Sequence, residues 1–174
     1  MKKSQFESIH SLACMGILIA MNVVLSRFLS VTAIDIKIGF SFITVVIAAR
    51  MFGPVGAMIV NGIGDCIGAI LFPVGAYILP LSLTAGLFGF IFGLCIHKNL
   101  NMKTIVLSVF LTQLICSLLL NSFILQIYYG LDFVTMFTTR IMQSIVMSTV
   151  QIIFMKVCLE KIVVLINRTK RAFA

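Results

Sequence analysis

The chain is 174 residues long, with 13 Lys+Arg against 5 Asp+Glu, a net charge of +8, 61% hydrophobic residues and only 10% charged ones. A mean hydropathy of +1.19 excludes a soluble globule, in which about a quarter of residues are charged, and equally a disordered chain or a disulfide-stapled secreted module. The composition reads as one membrane-embedded domain over 1–174, all-α and polytopic.

Residues 2–10 are polar and basic, a short helical lead. Span one is expected from 11 to 28. The connector 29–39 holds Thr32, Asp35 and Lys37, polar enough to leave the bilayer. Span two, 40–52, is short and ends at Gly53-Pro54, a breaker pair that marks a tight turn. Span three, 55–71, is rich in glycine. The connector 72–80 has two prolines, Pro73 and Pro80, yet is apolar, so it should pack as a lid. Span four covers 81–96, and 97–103 is a polar break. Span five covers 104–124, and the connector 126–135 contains Asp132. Span six, 137–166, would be about 45 Å long against a hydrocarbon core of roughly 30 Å, so it tilts or emerges as a basic cytoplasmic end.

Basic residues set the orientation. With the N-terminus inside, one side receives Lys2, Lys3, Arg50, Lys98, Lys103, Lys161, Arg168, Lys170 and Arg171; the other receives Arg27, Lys37 and Arg140. This asymmetry predicts six spans with both termini in the cytoplasm. The basic residues cluster at the ends of apolar runs rather than in a stripe, which argues against nucleic acid as a partner.

Metal and nucleotide chemistry find no support. His10 and His97 are far apart, and none of the five cysteines forms a C-x-x-C pair, so they read as small buried hydrophobes. Gly62-x-Gly64 is followed by Asp65 inside a span, with no Lys-Ser or Lys-Thr, so it is not a phosphate loop.

Asp65 is the most informative residue. It lies about ten residues into span three, near the middle of the bilayer, where a lone carboxylate costs about 2.5–3.5 kcal/mol. It needs a cation, a donor-rich ligand or a water-filled cavity. A ligand site and a structural ion pair both satisfy that need. Arg140 is placed in the first turn of span six, with Gln143 one turn deeper on the same face. With Arg27 and Lys37 it would give an outward-facing cavity a positive rim suited to an anionic solute; singly, each also reads as a snorkelling interface residue. Asn22, Asn61, Gln113, Asn121 and Gln151 are further polar groups inside spans, either ligand contacts or ties between helices. Tyr77 could stack on a planar ligand. Gly16/Ala20, Gly64/Gly68 and Gly89/Gly93 are small-residue pairs that permit close helix approach, either within the bundle or to a partner. Ala13, Gly16 and Ala20 share one face of span one, the best candidate for a partner surface.

Several stretches resemble the folate-specific substrate-binding subunits (S components) of energy-coupling factor (ECF) transporters. They are Asn22 to Ser30, Lys37 to Phe42, Phe52-Gly53-Pro54 to Ala57, Gly64-Asp65-Cys66-Ile67-Gly68, Phe72 to Tyr77, and Arg140-Ile141-Met142-Gln143, with Gln151 further on. The likeness covers roughly 13–155. Phe-Gly-Pro and the glycines are widely shared among vitamin-binding subunits; Arg27, Asp65 and Arg140-x-x-Gln143 point to the folate branch. The resemblance implies a six-helix subunit of a bacterial cell membrane that captures folate from outside. It implies partnership with a membrane coupling subunit, through Ala13-x-x-Gly16-x-x-x-Ala20, and with two cytoplasmic ATPases. It implies no enzyme activity and no cofactor, with folate as transported ligand. The pterin would bind Asp65; Arg27, Lys37 or Arg140 would take the glutamyl carboxylates; Tyr77, Gln143 and Asn121 would complete the site. Another flat vitamin (riboflavin or thiamine), a membrane enzyme, and a scaffold are the competing readings.

Overall fold

The computed structural model describes the backbone of residues 9–33, 36–73, 78–97, 101–129 and 133–172, and the side chains of 9–30, 39–73, 78–97, 101–128 and 137–157. Helix α1 (Ile9–Arg27) leads into a two-stranded antiparallel hairpin, β1 (Val31–Ala33) and β2 (Ile36–Ile38), with Val31 opposite Ile38 and Thr32 opposite Lys37. Helix α2 (Phe42–Leu71), α3 (Leu79–Ile96) and α4 (Met102–Thr112) follow. A π-helical segment (Gln113–Asn121) joins α4 to α5 (Ser122–Tyr129), and α6 (Phe133–Ala172) closes the chain. Among the described residues, four stretches are long and apolar enough to cross a membrane: α1, α2, α3 and the run Met102–Tyr128. The architecture is all-α and multi-spanning.

The spans differ from expectation in instructive ways. Expected spans two and three form one element, α2, interrupted at Gly53, whose φ of 76° and ψ of −166° lie where only glycine is comfortable. Pro54 then removes a backbone donor and seals the break. The limb before the break, 42–52, makes about 16 Å of helix, half a hydrocarbon core. The connector 29–39 holds the hairpin rather than an open loop. The fifth helix runs on to Tyr129 and α6 starts at Phe133, so most of connector 126–135 is helical. Arg140 therefore sits two turns into α6, not in its first turn. Asp65 stands eleven residues past Pro54 and six before Leu71, past the middle of its limb.

Packing explains the break. Phe42, Thr44 to Ala49, Met51 and Phe52 are buried on every side, as befits a helix surrounded by others. Met15 and Leu18 of α1, Phe92 and Ile96 of α3, Ile105 and Val109 of α4, and Met155 of α6 join this core. The second limb of α2 runs antiparallel to α3 at very close range. A Cβ added to Gly89 would strike the Ala57 carbonyl, and one added to Gly93 would strike Pro54 Cα. Small residues are what let two membrane helices approach so closely. At the break itself, Arg50 donates to the His97 carbonyl and the His97 ring lies 3.1 Å from the Ala49 carbonyl, through Nδ1.

Candidate functional site

Several of the polar residues that the bundle buries converge. Asn22 on α1 donates through Nδ2 to the Val60 carbonyl (3.2 Å) and to Asn61 Oδ1 (3.1 Å) on α2. Asn61 in turn donates to the Ala85 carbonyl of α3 at 2.6 Å. This relay satisfies two buried amides and ties three helices, as a polar group in an apolar bundle must. Thr84 Oγ1 donates to Asn121 Oδ1 at 2.7 Å, linking α3 to the π segment, and Ser144 Oγ donates to Ser117 Oγ at 3.2 Å, linking α6 to it.

Asp65 is held at the edge of this cluster. Its Oδ2 accepts from Ser82 Oγ at 2.9 Å, and its Oδ1 lies 3.7 Å from Arg27 Nη2. That distance is a charge contact rather than a hydrogen bond, so Asp65 retains acceptor capacity. Arg27 is the last residue of α1, where a cation meets the negative end of the helix dipole. Its guanidinium packs over Gly68, and its Nε is buried with no hydrogen-bond partner among the described residues.

Beside these groups lies an open cavity of about 360 Å³, within the roughly 300–1,000 Å³ range of ligand pockets. Asp65, Arg140, Gln143 and Asn121 line it, together with Asn22, Asn61, Gln113 and Gln151, and Phe42 and Phe88 supply aromatic wall. Arg140 Nη1 donates to Gln143 Oε1 at 3.4 Å, the one-turn pairing their spacing predicts. Arg27 stands behind Asp65 rather than in the lining. Lys37 is placed only by its backbone in β2, and Tyr77 lies outside the described residues, as do Asp35 and Asp132. Ala13, Gly16 and Ala20 are exposed on the outer side of α1, and Gly16 has open space where a Cβ would go. Among the described residues, no cluster of His, Cys, Asp or Glu could hold a metal ion.

Sequence reading missed Ser26, Ser41, Ser82, Thr84 and Ser117. A hydroxyl in a membrane helix usually bonds its own preceding turn, as Thr112 does to Ser108, so position alone carries no signal.

Residues 6–168 match the family model of the ECF-type riboflavin transporter, S component. The folate transporter FolT of Clostridium novyi is 34% identical over 140 residues, covering 80% of this chain and 81% of that one. FolT of Leuconostoc mesenteroides is 28% identical over 145 residues, covering 79% and 78%. A crystal structure of FolT bound with folic acid superposes with a TM-score of 0.75 at 30% identity, covering 83% of this chain and 88% of that one. The fold and these matches define a multi-spanning membrane transport protein, not an enzyme. The chain belongs to the S-component family of ECF transporters and is homologous to the folate transporter FolT.

Proposed function

We propose that the chain captures folate from outside the cell as the substrate-specific membrane subunit of an ECF transporter. One observation carries the reading: a carboxylate, Asp65, and a guanidinium, Arg140, line one cavity together with amides, hydroxyls and two phenyl rings. A pterin presents an exocyclic amino group beside a ring N–H, and one carboxylate accepts both. Phe42 and Phe88 offer flat apolar walls to the rings. Arg140, and beside it Arg27 or Lys37, would bind the glutamyl carboxylates, with Gln143, Asn121 and Tyr77 as further contacts. The likeness to two FolT proteins and to a folic-acid complex supports this ligand.

The finer architecture belongs to the same proposal. The chain is a single substrate-binding domain crossing the membrane six times, with the two limbs of α2 as separate spans and both termini cytoplasmic, in line with the basic-residue asymmetry. Ala13, Gly16 and Ala20 form the surface for the membrane coupling subunit, and two cytoplasmic ATPases drive release. The exposure of all three residues supports that role.

The family model is named for riboflavin, and this favours one second reading, a flavin-binding S component. Binding of tritiated folate to the detergent-purified subunit separates the two. One-to-one binding, lost in Asp65→Asn and indifferent to excess riboflavin, is expected. Displacement by riboflavin, or no folate binding by a folded preparation, would sink the folate assignment.

A further inference from the structure

Gln151 is 2% exposed, lines the cavity, and has an Oε1 with no hydrogen-bond partner among the described residues. A buried acceptor is costly to leave unmade, and every other buried amide whose bonds are described above is satisfied. Its position is also defined. Arg140, Gln143, Met147 and Gln151 recur at helical spacing along one stripe of α6, and all four line the cavity. Arg140 and Gln151 are separated by about 16 Å along the axis. Gln151 lies one turn from Phe154, whose ring meets Phe42 edge-on at 5.7 Å. Ser41 and Phe42 line the cavity where α2 begins. Along this stripe of α6 the Gln151 end carries no charge and suits a heterocycle, and the Arg140 end suits a charged tail.

We infer that Gln151 is a specificity-determining residue that reads whether the pyrazine ring of the bound pteridine carries hydrogen. This rests on the folate reading above. With Asp65 holding the amino edge of the pterin, the opposite, pyrazine edge is the part left to face the orphan carbonyl. In folic acid the pyrazine nitrogens are bare acceptors, so Gln151 would have to turn its amide over and offer Nε2 to them. In reduced folates a pyrazine N–H can donate to the Gln151 oxygen. The pocket then favours the reduced ring, because a buried polar group discriminates most strongly against the ligand that leaves it unpaired.

The test is the dissociation constant of the full-length purified subunit for folic acid and for folinic acid, whose reduced ring keeps one free pyrazine N–H. The wild type should bind folinic acid about tenfold more tightly. Gln151→Met, close in shape and without the amide, should abolish that ratio, with folinic acid losing more affinity than folic acid. Equal affinities in the wild type, or a variant that weakens both ligands alike, overturns the inference. The wild-type ratio is informative whether or not the variant folds. Failure of the wild type to bind either folate would instead remove the folate reading itself, and this inference with it.

Discussion

Arg27 and Asp65 face each other at 3.7 Å across the seam between α1 and α2, and they are unequally buried, at 12% and 35% exposure. The asymmetry decides which partner is harder to strand. Asp65→Asn leaves a nearly buried guanidinium without its counter-charge. Arg27→Met leaves a carboxylate that still has Ser82 and the cavity. Breaking a buried pair is costly mainly through the charge left behind. Asp65→Asn should therefore lower stability by about 1–3 kcal/mol and Arg27→Met by less. The double variant should be more stable than Asp65→Asn alone. Thermal melts in detergent of the four proteins form the cycle; additive losses would show that the two charges do not sense each other.

Glycines on different faces should respond in opposite ways. A Cβ at Gly89 has nowhere to go except into the Ala57 backbone, whereas one at Gly16 meets nothing within 4 Å. Gly89→Ala must push α3 away from α2 along their whole seam, and overpacking of this kind costs about 1–3 kcal/mol or more. Gly16→Ala removes backbone freedom from the unfolded chain in a helix interior and should be neutral or stabilising by up to about 1 kcal/mol. Comparing the two melting temperatures tests the α2–α3 seam directly. Equal responses would mean that the two helices are not in this contact.

Gly16 also separates folding from assembly. Because its surroundings are open, Gly16→Leu should leave the isolated subunit folded and its folate affinity within about twofold of wild type. The same change puts a bulky side chain on the stripe shared with Ala13 and Ala20, where close helix approach needs small residues. Co-purification with the coupling subunit should be lost. Retained co-purification would move the partner surface away from this face of α1.

How much of this was legible in the sequence depends on how each feature is built. Asp65 stood out because an acid inside an apolar run demands a reason, and Arg140 with Gln143 because their spacing alone makes them neighbours. The break at Gly53-Pro54 was likewise local and readable. The Asn22–Asn61–Ala85 relay was not, because it joins three helices whose relative rotation no single segment encodes. The role of Arg27 changed for the same reason. Read alone it was a mouth cation; the packing of α1 on α2 sets it against Asp65. The hairpin at 31–38 looked like polar loop because three-residue strands are too short to show alternation. The π segment has no compositional mark at all. It places Gln113, Cys116, Ser117 and Asn121 on the cavity wall through a widened turn rather than through residue choice.

Arg140 should discriminate the length of the ligand rather than its ring. It lines the cavity with its guanidinium anchored to Gln143 at 3.4 Å, a long bond that leaves most of its five donors for a carboxylate. A planar guanidinium grips a carboxylate through two parallel hydrogen bonds, so its removal is felt only by ligands that carry the anion there. Pteroic acid keeps the pterin and aminobenzoyl ring of folic acid but lacks the glutamate, ending in a carboxylate directly on the ring. Wild type should bind folic acid more tightly than pteroic acid by about tenfold or more, the scale of one charged hydrogen-bonding pair. Arg140→Met should collapse that difference by weakening folic acid, with pteroic acid changed by less than about threefold. Gln143→Ala should produce the same pattern in weaker form, because it frees the guanidinium to wander without removing its charge. If Arg140→Met weakens both ligands equally, the residue acts on the heterocycle or on the fold. The glutamyl tail must then be held by another cation, Lys37 in β2 being the next to substitute.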